Sequence, residues 1–104
     1  IIDTERIFNF RALCFARNES KNIPGFEEDD YAANSHANER SWDSLCEELA
    51  LVRQSTLALF NSFNEADFLK SGSANNKPVT VLALGFMTIG HIYHHINIIN
   101  ERYL

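Results

Sequence analysis

The segment from Val79 to Ile99 contains no Asp, Glu, Lys or Arg, and this constrains the fold more than any other feature. An uncharged stretch of that length has to be buried, in a protein core or in a bilayer. His91, His94, His95, Asn97, Thr88 and two glycines interrupt it, which suits a buried bundle helix better than a membrane span. The pattern predicts a helix over about Val81 to Arg102, with Thr80 as its N-cap. Its first four turns are apolar nearly all round, as in a helix at the centre of a bundle. Gly85 and Gly90 would let a neighbouring helix come close.

The rest of the chain supplies partners for that helix. With 104 residues, 45% of them hydrophobic and 12% aromatic, it is sized for one small globular domain spanning 1–104. A formal charge of -5 and the lack of any Lys/Arg run argue against nucleic acid and anionic membrane as partners. Cys14 and Cys46 sit among apolar residues and read as small buried hydrophobes of a reduced, cytoplasmic protein. Ile1 to Arg17 reads as a helix with two adjacent stripes, Ile7/Phe10/Cys14 and Phe8/Ala12/Phe15. Asn18 to Arg40 is a long polar connection. In it Pro24-Gly25 marks a turn, a short helical turn fits about Glu28 to Ala33, and the acids Glu27 to Asp30 form a solvated face.

Ser41 to Phe63 is the clearest amphipathic helix. Trp42, Leu45, Leu49, Val52, Thr56, Leu59 and Phe63 form its apolar stripe, Arg53 lies away from it, and Ser41 is the N-cap. A short helical turn follows over Asn64 to Leu69. Lys70 to Asn76, rich in Ser, Gly and Asn, reads as an exposed loop. The elements together give an all-α domain.

On a helix, His91 and His95 stand one turn apart on one face, and His94 points elsewhere. Two imidazoles at this spacing can share one metal ion. They can equally be core imidazoles hydrogen-bonded to neighbours. Ile92 follows His91, so the glutamate of the metalloprotease motif is absent. Within the chain Asp3, Glu5 and His36 are the available third ligands.

Three stretches, taken together, carry a resemblance: Asp3-Thr4-Glu5-Arg6-Ile7-Phe8, Pro24-Gly25-Phe26-Glu27-Glu28-Asp29-Asp30-Tyr31, and Gly90-His91-Ile92-Tyr93-His94-His95. In order and approximate spacing they resemble signature stretches of the DinB-like superfamily, which includes bacillithiol- and mycothiol-dependent transferases. The resemblance implies a four-helix bundle with one long crossover connection. It also implies a divalent metal, nickel or zinc, held by three histidines. Two of these fall on His91 and His95, and the third is expected just upstream of Ile1. Asp3 and Glu5 are then expected around the metal or in the pocket wall, with the Pro24–Tyr31 loop beside them. Catalytic residues are not assigned.

The same resemblance, with an uncapped opening at Ile1-Ile2-Asp3, implies that the bundle's N-terminal helix precedes this chain. The implied activity is metal-dependent: a small-thiol S-transferase or a hydrolase, acting on a small molecule with a low-molecular-weight thiol as cosubstrate. The alternative is a non-catalytic helical bundle with a vestigial or structural histidine cluster. A homodimer is expected, and were these 104 residues the whole protein it would be needed to cover the open bundle face.

Overall fold

The computed structural model describes residues 1–102. Three long helices dominate: α1 (Ile2–Ala16), α3 (Trp42–Asn61) and α5 (Val81–Arg102). Between them lie α2 (Glu28–Asn34), a 3-10 turn (Ala37–Glu39), α4 (Glu65–Leu69) and the strands β1 (Ser71–Ala74) and β2 (Lys77–Thr80). The chain is mostly helical, in keeping with the all-α expectation.

The expected caps are in place. Ser41 Oγ accepts from the Ser44 amide at 3.1 Å, and Thr80 Oγ1 accepts from the Ala83 amide at 3.0 Å. Asn64 and Asp67 close a reciprocal capping box on α4, which satisfies two amides that would otherwise lack partners. At the other end of α1, Lys70 Nζ donates to the Ala16 carbonyl at 2.9 Å. Asn18 takes the left-handed conformation, φ 66°, that ends many helices.

α1 lies between the other two long helices and packs on both, whereas α3 and α5 meet each other little. Contacts along α1 and α3 climb together, from Glu5–Arg53 through Asn9–Thr56 to the cluster joining Phe15 with Phe63. These helices therefore run parallel, as a long crossover connection requires. α5 runs back against α1, with Phe8 beside His91.

The core sits at one end, where the C-terminal halves of α1 and α3 meet α4, the hairpin and the start of α5. Ala12, Phe15, Ala16, Phe63, Ala74, Val81 and Leu84 are buried there. Phe60, Phe63 and Phe68 form an aromatic trio with ring centroids 5.3–6.3 Å apart, in two edge arrangements and one stacked that add to area burial.

Four local expectations are corrected. The stretch read as a loop after Lys70 is half of an antiparallel hairpin, with Ser71 opposite Thr80 and Ala74 opposite Lys77. Asn75 and Asn76, at φ 53° and 62°, supply the tight turn whose twist matches paired strands. Ile23 adds a third edge: its amide donates to the Ser73 carbonyl and its carbonyl accepts from the Asn75 amide, both at 2.8 Å. Of the two stripes on α1, the one with Ala12 and Phe15 is buried, and Phe10 is exposed. Trp42, at the uncovered start of α3, is 69% exposed.

The fourth correction concerns α5. It is covered on one face only, through Val81, Leu84 and Thr88, and leaves Leu82, Phe86, Ile89, Tyr93 and Ile96 exposed. A Cβ added to Gly85 would lie 3.1 Å from the Phe60 ring, so a neighbour does come close there, but at Gly90 it would meet nothing within 4 Å.

Candidate metal centre

The end of the molecule opposite the core carries the histidines. Helical spacing alone places His91 and His95 on the α1-facing side of α5, and their Nε2 atoms stand 3.1 Å apart. Phe8 presents its ring at an angle of 74° to His91, with centroids 6.4 Å apart. His94 is exposed, yet its ring meets that of His95 edge-on, with centroids 5.7 Å apart.

Two nitrogens bound to one ion at about 2.1 Å stand roughly 2.9–3.4 Å apart for bond angles between a right angle and the tetrahedral angle. The observed separation falls inside that range. The same separation suits a single N–H···N hydrogen bond between two neutral rings of complementary tautomer. Both arrangements need unprotonated imidazole, and the surroundings favour it. Burial lowers the His91 pKa, and the facing His95 lowers it further. His95 is lowered by burial and by the neighbouring His94.

The carboxylates expected near the histidines are separated from each other. Asp3 is exposed in the first turn of α1. Glu5 is 2% exposed and faces α3. Its carboxylate receives Arg53 Nε at 3.1 Å and Arg53 Nη2 at 2.9 Å, a bidentate pair. Thr56 also contacts it; its hydroxyl has one proton and the carboxylate is the stronger acceptor, so Thr56 donates to Glu5. Asn9 Nδ2 then donates to Thr56 Oγ1 at 2.7 Å. The Arg53 pKa is raised, first by this hydrogen bond to Glu5. No hydrogen bond joins Glu5 to either histidine among the described residues.

Arg53 was not visible from the apolar pattern, which puts it off the buried stripe of α3. The only signal was its position one turn before Thr56, itself a polar residue on that stripe.

His36 is exposed in the crossover, 3.8 Å from Glu39. Among the described residues no group of three His, Cys, Asp or Glu side chains converges on one point. His91 and His95 are two imidazoles that do meet. The stretch around Pro24 is anchored at its near end, and beyond it Glu28 lies close enough for its charge to raise the pKa of both histidines against the larger lowering effects. Asn22 ties the stretch to the hairpin through Ser73 and the Asn76 amide, and Phe26 packs against Tyr31, centroids 5.1 Å apart.

From the core end an apolar groove runs between α3 and α5, with Leu57, Phe60, Leu82 and Phe86 in its walls. Arg53, Thr56 and Thr88 give it a polar margin. Thr88 lies one turn before His91, so the groove leads toward the pair.

No helix among the described residues is long and apolar enough to cross a membrane. No curated protein and no solved structure matches the chain. The sequence profile of one family, the DinB superfamily, matches residues 1–99. That span takes in all three long helices and both histidines, and the chain belongs to the DinB superfamily.

Proposed function

We propose that the protein is a divalent-metal-dependent enzyme, a small-thiol S-transferase or a hydrolase, in which His91 and His95 hold a nickel or zinc ion. The observation that carries this reading is the 3.1 Å separation of two Nε2 atoms on rings kept neutral by burial. Bound there, such an ion lowers the pKa of a coordinated thiol or water and so supplies a nucleophile at neutral pH.

The chain's own residues do the rest. Phe8 shields one side of His91 from water. Glu5 and Arg53 lock α1, which carries Phe8, to α3. The groove between α3 and α5 takes the apolar part of a small electrophilic substrate. Cys14 is half-buried, with its thiol pKa raised by burial and by Glu19, a setting that suppresses thiolate. This supports a low-molecular-weight thiol as the cosubstrate. Cellular location in the cytoplasm, where such thiols are held reduced, belongs to the same proposal.

The second reading is a non-catalytic helical bundle with a vestigial or structural histidine cluster. The same contact favours it, since one N–H···N bond satisfies both rings without an ion. Metal analysis of the purified protein beside its His91→Ala/His95→Ala variant separates the two. About one nickel or zinc per chain in the parent and none in the variant supports the enzyme. Equal, negligible metal in both removes it.

A homodimer is part of either reading. What supports it is the exposed series Leu82, Phe86, Ile89, Tyr93 and Ile96, which recurs at spacings of four and three along α5 like a coiled-coil seam.

A further inference from the structure

A second cleft lies at the core end, where α1, the hairpin and the first half of α5 meet. Arg11, Asn75 and Lys77 supply its polar groups, and Val79, Leu84 and Met87 its apolar walls. Arg11 is the unusual member. It is 8% exposed, and no carboxylate pairs with it among the described residues. Its one hydrogen bond is long, from Nη2 to the Pro24 carbonyl at 3.5 Å, near the limit at which such contacts count. Its Nε is buried and unpartnered. The Phe8 ring lies 5.9 Å from the guanidinium and gives it only a weak cation–π contact.

A buried guanidinium without an anion is unfavourable, because burial removes hydration and nothing replaces it. Burial accordingly lowers the Arg11 pKa. The chain as a whole has a net charge of -5, yet the two ionisable groups lining this cleft are both cationic. Nε is closed off from solvent, so the guanidinium meets the cleft through its terminal nitrogens, whose planar fork matches a carboxylate. Lys77 at the rim adds a second positive charge, and the wall from Val79 to Met87 accepts a short hydrocarbon body. The cleft holds about 270 Å³, just below the roughly 300–1,000 Å³ of sites for drug-sized ligands, so its occupant is small.

We infer that this cleft is a binding site for a small aliphatic carboxylate, with the carboxylate on Arg11 and Lys77 and the hydrocarbon against Val79, Leu84 and Met87. The site borders the histidine pair, since the Phe8 ring lies beside both the Arg11 guanidinium and His91, but its occupancy does not depend on the metal reading.

Hexanoate is the probe, with hexanamide and inorganic phosphate as controls. The readout is the Arg11 Nε–Hε resonance together with the Asn75 and Lys77 amides in 15N–1H NMR spectra. Hexanoate is expected to move all three saturably. Hexanamide should bind about tenfold more weakly or worse, the usual cost of losing a charge-assisted hydrogen bond. Arg11→Met should abolish the response; Lys77→Gln, at an exposed position, should weaken it several-fold while the protein stays folded. Absence of saturation by hexanoate, or equal binding of hexanamide, overturns the inference. So does phosphate binding more tightly than hexanoate, which would make the cleft a site for inorganic anions.

Discussion

Glu5 shows how one buried charge is made tolerable. Its carboxylate accepts three hydrogen bonds from α3, two of them from a single guanidinium. Arg53 keeps a third of its side chain in water, whereas Glu5 keeps almost none. The two partners should therefore differ when removed. Arg53→Met leaves a buried carboxylate without its cation and is expected to cost about 3–5 kcal/mol. Glu5→Gln leaves an arginine that can turn toward solvent, so about 2 kcal/mol is expected. Urea denaturation of both variants checks the order, and equal losses would contradict it. The histidines make a pH prediction. Both have pKa values lowered from 6.5 in the folded state, so the unfolded chain takes up protons first as pH falls. Their contribution is complete above about 6.5 and declines below it as pH approaches the folded values. Urea midpoints should drop between pH 7.5 and 5, and His91→Gln/His95→Gln should flatten that slope.

Two glycines separate the elements that are packed from those that are open. A Cβ on Gly72 of β1 would fall inside the Phe15 ring, a side chain that is itself fully buried. Gly72→Ala should destabilise by about 2–3 kcal/mol, as overpacking does. Gly90 of α5 has open space around it, and Gly90→Ala should instead raise stability by about 0.5–1 kcal/mol by removing a flexible residue from a helix interior. Thermal melts of the two variants should move in opposite directions. The long helices and their Ser41 and Thr80 caps were legible because apolar spacing and capping chemistry are both local. The hairpin was not. Ser71-Gly72-Ser73-Ala74 has no alternation of apolar and polar residues, and it becomes a strand only because Asn75-Asn76 turns the chain and Ile23 docks on its edge. Glu5 could be named from sequence, but its partnership with Arg53 joins α1 to α3 across the crossover and left no mark in either helix alone. That the rings of His91 and His95 meet was legible, since a one-turn separation puts them on one face; the edge contact of His94 with His95 was not.

At the scale of the molecule, the surface is larger than its mass calls for. The chain exposes 7372 Å², where about 6,000 Å² is expected for a compact monomer of 11.9 kDa. Its radius of gyration is 14.7 Å against roughly 13 Å for this length. The excess area is more than the approximately 800 Å² each partner contributes to a standard interface. Phe86, 68% exposed at the middle of the α5 series, is the place to test this. Phe86→Glu should convert a dimer to a monomer in sedimentation equilibrium with little change in helicity; a parent that is already monomeric at high concentration removes the homodimer. An uncharged α5 suggested burial on every side, whereas the fold covers one face, because apolar residues all round a helix report how much it can bury and not what this chain offers to cover it. The crossover has a different consequence. Every residue from Glu27 to Asp43 is exposed, the near end is stitched to the hairpin through Asn22 and Ile23, and Ser41 caps the far end. The stretch around Ala37–Glu39 is therefore a tether between two already anchored pieces. Cut there, the fragment carrying α1 should stay bound to the remainder, and a circular permutant opened at that point should keep the same arrangement of helices.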